Sequence, residues 1–212
     1  MATPAQMMET LAEVTRIPLA TIVDHDRKLT KAGLRTKGGR GFSVAQVTSL
    51  DVARLLTSIL AGSRATDAAS AVERYVHAIV DRARSGEAGF AIARLDDLAK
   101  LPPRHSFVDA LVAVITSAAK GSIATLVKTG APPHIEVFAL TRATRGRIRI
   151  TGLPDGETVS VEYGPTGTRP TKPGGTGQSP EEDVGDFEQS RRITERTILS
   201  VAELLAKGEN YA

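Results

Sequence analysis

The sequence predicts an α+β protein in which several helices precede a small antiparallel sheet and a further helix closes the chain. Apolar residues recur at the helical period in the stretches before residue 130. After residue 131 the pattern changes to alternation of apolar and polar residues, which is typical of strands with one face in solvent. The last stretch returns to the helical period, with Ile198, Val201, Leu204 and Leu205 on one face.

The composition of the 212-residue chain narrows the classes of function. Hydrophobic residues make up 41%, which indicates a globular chain with a buried core. Aromatic residues make up only 4% and Trp is absent, which argues against aromatic platforms for base stacking. The absence of Cys excludes disulfides, cysteine-based zinc sites and thiol nucleophiles. No apolar run reaches the about 18 residues of a membrane span, and the first residues lack a signal-peptide pattern. We therefore expect a cytoplasmic protein that does not enter a membrane.

Two short helices with a break between them open the chain. Thr3 to Gln6 fits a capping box, with Pro4 at the first helical position. Pro18 disfavours helical geometry at the preceding residue and is suited to open the second helix, which we place at residues 19–32. Gly33 is well placed to end that helix.

The second helix is predicted to have one apolar and one polar face. Its apolar stripe consists of Leu19, Ile22, Val23 and Leu29. The polar residues expected to face away from the core are Thr21, Asp24, His25, Arg27, Lys28 and Lys31. A recognition helix in a DNA major groove has this arrangement. Asp24 and Asp26 argue against it, because a carboxylate facing the groove repels phosphate. Asp24 can instead accept a hydrogen bond from a cytosine amino group or pair with Lys28.

A basic, glycine-rich segment at residues 35–42 follows the second helix. Short extended stretches flank its glycines, which favours a hairpin. From Arg27 to Arg40 there are six Lys or Arg and no Asp or Glu after Arg27, which suits contacts with phosphates. Helix, turn, helix and basic hairpin together predict a winged helix-turn-helix at residues 1–62. The residues predicted to contact DNA are Thr21, Asp24, His25, Arg27, Lys28, Lys31, Arg35, Lys37 and Arg40.

The stretch LAEVTRIPLATIVDHDRKLTKAGLRTKGGRG resembles the winged helix-turn-helix of MarR-type and IclR-type regulators. The continuation VTSLDVARLL resembles the MerR family, in which a helix with an acidic first turn follows the wing at once. The remainder is similar to regulators in alphaproteobacterial prophages and gene-transfer-agent clusters. The resemblance to the MarR, IclR and MerR families covers roughly the first 60 residues. It implies that the ligand is double-stranded DNA.

Residues 63–130 are predicted to form a helical core or oligomerisation region. Thr48 with Asp51 makes a second capping box, whose helix we expect to pack on the first two. A helix rich in Ala and Val, predicted from Asp67 to Arg84, fits a dimer contact and a core position equally well. Ser106 with Asp109 makes a third capping box, and it opens a helix that is apolar almost all round.

Residues 131–212 are predicted to form an antiparallel meander with a C-terminal helix. The strands fall at residues 135–140, 147–151 and 158–163, with a turn at 152–156. A loop at 164–185, rich in Gly, Pro and Thr, is expected to be flexible. Residues 187–193 are suited to a further strand. Four arginines at positions 142, 145, 147 and 149 fit a solvated edge with partners such as Glu162, or else a second contact with the DNA backbone.

The sequence contains no pattern that indicates catalysis. None of the four histidines lies at metal-ligand spacing with another ligand, and no G-x-S-x-G elbow is present. We therefore expect no enzymatic activity, no cofactor and no metal ion. The predicted function is a sequence-specific transcription regulator, nucleoid-associated and homodimeric, that binds double-stranded DNA. The alternatives are a phage-type DNA-packaging subunit of the small-terminase kind and a protein-docking adaptor.

Overall fold

The computed structural model describes residues 2–36, 46–62, 64–85, 90, 95–123, 125, 133–140, 144–153, 156–165 and 189–209. Its helices are α1 (Pro4–Thr15), α2 (Leu19–Lys31), α3 (Ser49–Leu60), α4 (Ala68–Val76), α5 (Asp96–Ala99), α6 (Phe107–Ala119) and α7 (Glu195–Glu209). Its strands are β1 (Ala78–Val80), β2 (His134–Leu140), β3 (Gly146–Thr151), β4 (Val159–Pro165) and β5 (Ser190–Thr194). The predicted α+β class, with a small antiparallel sheet and a C-terminal helix, is confirmed.

The starts of α1, α3 and α6 lie at the predicted capping boxes. At each one, the hydroxyl of Thr3, Thr48 or Ser106 accepts a hydrogen bond from the third residue of the helix, whose side chain accepts one in return. The end of α2 is also as expected. Gly33 has a φ of +74°, and the N–H of Leu34 donates to the carbonyl of Leu29, which satisfies a terminal carbonyl of the helix.

The sheet has five antiparallel strands in the order β1-β4-β3-β2-β5. The predicted meander forms its centre, and β5 returns to pair with β2, as expected for the fourth predicted strand. Residues 187 and 188 of that prediction lie outside the described residues. The strand β4 continues to Pro165, so the predicted loop begins later than Gly164, and residues 166–185 also lie outside the described part.

The helix predicted from Asp67 to Arg84 is shorter than expected. It ends at Val76, and Ala78 to Val80 form β1, which pairs with β4. The β-branched Ile79 and Val80 favour an extended backbone. The edge of β4 supplies hydrogen-bond partners for these residues. A prediction from local periodicity does not take such distant partners into account.

One face of the sheet is covered by α3, α6 and α7, and α6 contacts both of the other two helices. The side chains of Ile135, Val137, Ile148 and Ile150 on this face are fully buried. Nine of the 13 residues of α6 are buried as well, in agreement with its apolar sequence. The Tyr75 hydroxyl lies 2.9 Å from the Leu140 carbonyl oxygen, which ties α4 to the end of β2.

The N-terminal helices share the core of the sheet. The helix α1 packs against α7 as well as α2, and the buried apolar side chains form one continuous cluster. The division of the chain at residues 62 and 130 stays a prediction. In the described part of the chain, no helix combines the length and apolar character needed to cross a membrane.

Candidate nucleic-acid interface

Five of the six polar residues predicted to face outward on α2 are exposed. They are Thr21, Asp24, Arg27, Lys28 and Lys31, while Ile22 and Leu29 are fully buried on the opposite side. Lys28 and Lys31 lie in the last turn, where positive charge is also favourable because the helix dipole is negative there. The outward face therefore presents three cationic side chains, two of them in the last turn.

Asp24 pairs with Arg27 rather than with Lys28. The Arg27 guanidinium lies 3.5 Å from the Asp24 carboxylate, and both side chains are largely exposed. An exposed pair of this kind contributes little to stability, because water and salt screen it. A phosphate group can therefore displace the carboxylate from Arg27 at small cost.

His25, predicted to face the DNA, is instead buried. It follows Ile22 by three residues and precedes Leu29 by four, so it belongs to the core-facing stripe. Its Nδ1 lies 3.0 Å from the Ser58 hydroxyl, whose proton is donated to the Leu55 carbonyl. Ser58 therefore accepts the proton of Nδ1. Burial, and next the charge of Arg191, lower the pKa of His25.

Arg35 was predicted to be a basic residue of the wing, but its side chain is only 3% exposed. Its Nε donates to the Asp26 carboxylate at 2.6 Å, and its Nη1 lies 3.9 Å from Asp51. Asp26 points toward the core because it follows Ile22 by one helical turn. A buried carboxylate requires a cationic or hydrogen-bonding partner, and Arg35 provides one. Neither Asp26 nor Arg35 is placed to meet a DNA backbone in this structure.

Asp51 anchors both sides of the predicted wing. Its carboxylate accepts hydrogen bonds from the backbone N–H of Thr36 at 2.8 Å and of Thr48 at 2.9 Å. Burial alone would raise the pKa of Asp51, but these bonds, the Thr48 hydroxyl and Arg35 together hold that pKa below its ordinary value. Arg54 adds a hydrogen bond to the Leu34 carbonyl at 2.9 Å. The backbone at residues 34–36 is thus fixed to α3.

The rest of the predicted wing, including Lys37 and Arg40, lies outside the described residues. The sequence alone does not reveal how Asp51 and Arg54 hold the start of the basic segment. The capping box explains locally why an Asp stands at position 51. Its hydrogen bond to Thr36 is a tertiary contact and cannot be predicted from the local sequence pattern. One buried carboxylate therefore holds Thr36, at the start of the basic segment, and Thr48, six residues after its end.

Two arginines on the outer face of the sheet, Arg147 and Arg192, have partners on neighbouring strands. Arg147 lies 3.4 Å from Glu162 and over the ring of Phe138, and Arg192 lies 2.7 Å from Glu136. These contacts agree with a solvated edge held by cross-strand pairs. Arg142 lies outside the described residues.

Fold and geometry define an α+β protein with an exposed basic face on α2, and the backbone at residues 34–36, where the basic segment begins, is anchored to α3. Comparisons of the chain with protein-family models, with curated proteins and with solved structures found no match. The winged helix-turn-helix therefore stays a prediction. It is based on the order of α1, α2 and the basic segment along the chain.

Proposed function

We propose that this chain is a double-stranded DNA-binding transcription regulator that acts as a homodimer, with α2 in the major groove. One observation supports the proposal above all. The outward face of α2 carries Thr21, Arg27, Lys28 and Lys31 at the surface, while its other face is buried. At 1.5 Å per residue, its 13 residues span about 20 Å. That length suits a major groove about 12 Å wide.

The anchoring of α2 favours this use. A reading helix must be held rigidly, because displacement by a fraction of an ångström disrupts contacts with base edges. The Arg35 bridge joins α2 to α3 through Asp26 and Asp51, and the Leu34 carbonyl is held by Arg54. His25 and Arg35, which the structure places in the interior, therefore position α2. The contacts with DNA are assigned to the exposed cationic side chains.

The proposed homodimer matches the geometry of the duplex. Two copies related by a two-fold axis would place their α2 helices in successive major grooves, about 34–36 Å apart. Such a dimer reads a pseudo-palindromic site. The wing residues Lys37 and Arg40 are assigned to the backbone or to the minor groove.

The first test removes the exposed charges of α2. We expect Arg27→Ala, Lys28→Ala and Lys31→Ala, combined, to weaken DNA binding and flatten its salt dependence. Each lost phosphate contact reduces the slope of log K against log salt by about 0.9. Fluorescence anisotropy with a labelled duplex at several salt concentrations measures both quantities.

The matched control removes three exposed arginines elsewhere, Arg74, Arg82 and Arg104. This variant changes the net charge by the same amount and should leave the slope unchanged. Equal losses in both variants, or no loss in the α2 variant, would contradict the assignment of α2. A separate Lys37→Ala, Arg40→Ala double variant tests the wing, and it leaves the structural Arg35 intact.

Capture and sequencing of sheared genomic DNA tests specificity. Enrichment of a few palindromic sites, lost in the α2 variant, supports a regulator. Uniform weak recovery together with a ring-sized mass in solution supports a packaging subunit instead. No recovery at low salt supports a protein-docking adaptor.

A further inference from the structure

A cavity of about 710 Å³ lies where the N-terminal helices meet the sheet. Its wall is built from the end of α1, the turn to α2, α2 itself, α3, β5 and the start of α7. Cavities of about 300–1,000 Å³ are typical of sites for small molecules. The volume is thus sufficient for a ligand of roughly a dozen heavy atoms or more.

Two polar groups in this wall have no hydrogen-bond partner among the described residues. The Nδ1 of His25 is used by Ser58, and its Nε2 has no hydrogen-bond partner among the described residues. The Thr197 hydroxyl likewise has none in the described part of the chain. His25 is 3% exposed and Thr197 is 5% exposed. Neither of these atoms is wholly withdrawn from water, because among the described residues only Arg54 Nε is both fully buried and without a partner. Both polar groups are therefore available for a hydrogen bond with a ligand in the cavity.

The charge of the wall is positive. Arg191 and Arg196 contribute to it, whereas no Asp or Glu does so among the described residues. The Arg191 Nη1 donates to the Ile59 carbonyl at 3.0 Å, which fixes that guanidinium beside α3. The Arg196 guanidinium has no partner in the described part of the chain. The guanidinium of Arg192 is bound to Glu136 on the outer face of the sheet.

The remainder of the wall is apolar. Ile17 from the turn, Leu56 and Ile59 from α3, and Ile193 from β5 contribute aliphatic side chains. A fully hydrated inorganic ion gains nothing from such a surface, whereas an apolar group does. The cavity thus combines two cations and unpartnered polar groups with a hydrophobic surface.

We propose that this cavity binds a small organic carboxylate, with its apolar body on Leu56 and Ile59 and its carboxylate beside Arg191 and Arg196. Charge-assisted hydrogen bonds from guanidinium groups are the strongest that such an anion makes with protein side chains. Thr21 and His25 belong to α2, so the ligand also contacts the helix assigned to DNA. An effect of the ligand on DNA affinity rests on the proposed function, while binding of the ligand does not.

The test is a panel of probes. Straight-chain carboxylates from butanoate to dodecanoate, with benzoate, phenylacetate and 2-naphthoate, are each compared with the matching primary amide. Affinity is measured by isothermal titration calorimetry, and the site is mapped by ¹H–¹⁵N NMR shifts. We expect at least one carboxylate to bind about tenfold or more tightly than its amide, with the largest shifts around His25, Ile59 and Thr197.

Arg196→Gln is the principal variant, because the loss of this exposed guanidinium breaks no bond in the described structure. It should remove most of the preference for the carboxylate over the amide. Arg191→Gln should do the same, and Arg104→Gln, at another exposed arginine, should keep the preference. The proposal is overturned if no carboxylate exceeds its amide, if Arg196→Gln keeps the full preference, or if the shifts map elsewhere. DNA affinity, measured separately, distinguishes failure of this proposal from failure of the DNA assignment.

Discussion

At the scale of single residues, Asp51 shows how one carboxylate holds two parts of the chain together. Its Oδ2 accepts the backbone N–H and the hydroxyl of Thr48 in the capping box of α3, and its Oδ1 accepts the backbone N–H of Thr36. The Arg35 guanidinium lies between it and Asp26. Because these groups are withdrawn from water, each depends on the others for hydrogen bonds and charge balance.

Replacement of Asp51 by Asn should therefore destabilise the protein in a pH-dependent way. At neutral pH we expect a loss of about 3 kcal/mol in the free energy of unfolding, the lower end for breaking a buried charge pair. The folded pKa of Asp51 lies below its ordinary value of 3.8. Its contribution is therefore present above that pH and is lost as the pH falls through the folded pKa.

Urea unfolding at a series of pH values from neutral to strongly acidic measures this effect. The difference between wild type and Asp51→Asn should shrink below the ordinary pKa of the carboxyl. A difference that stays constant through the acid range would show that the charge of Asp51 is irrelevant to folding.

At the scale of elements, the distance between α6 and the sheet depends on Gly146. A Cβ atom at this position would lie 2.5 Å from Cδ2 of the Phe107 ring. The ring in turn contacts Tyr75 and Tyr163, with centroid distances of 5.1 Å and 5.5 Å. The absence of a side chain on β3 thus allows α6 to approach the sheet closely.

Gly146→Ala should destabilise the protein by about 1–3 kcal/mol, the usual cost of overpacking a core. The matched control is Gly164→Ala in β4, where a Cβ atom meets nothing within 4 Å. That control should be neutral or slightly stabilising, since Ala lowers the entropy of the unfolded chain. Phe107→Leu combined with Gly146→Ala should cost less than the sum of the two single changes. Strict additivity in thermal or denaturant unfolding would contradict the close contact.

The elements differ in how far the sequence predicts them. The capping residues Thr3, Thr48 and Ser106 define helix starts because their chemistry is local. His25 was misplaced because its polar character was given more weight than its spacing from Ile22 and Leu29. The strand β1 is not predicted from the sequence. Its three residues are extended because they pair with β4, which is distant in the sequence.

At the scale of the whole molecule, the described residues share one hydrophobic core, and α1 packs on α7. The cavity also belongs to this scale. Arg191 and Arg196 are brought to His25 from more than 160 residues away, so no pattern in the sequence joins them. The exposed cations of α2 can be predicted from the sequence because they follow from the helical period. The cavity cannot be predicted in this way, because it depends on tertiary packing.

We expect the chain to unfold in a single cooperative transition. Leu11→Ala, in the fully buried part of α1, should cost about 2–5 kcal/mol. It should lower the unfolding midpoint of Tyr75 and Tyr163 as much as that of the helices. Near-ultraviolet circular dichroism follows these two tyrosines, which lie on α4 and β4, and the far-ultraviolet signal follows the helices. Separate transitions would show that the N-terminal helices fold as an independent domain.

The packing of α1 on α7 has a consequence for the newly made chain. The ribosome synthesises α1 among the first helices and α7 some 180 residues later, counted from Thr15 to Glu195. At about 5–20 residues per second, that interval lasts roughly 10–40 s. The surface of α1 that α7 covers in the finished protein is not yet covered by α7 during this interval, so the nascent chain offers an apolar site to chaperones until α7 emerges.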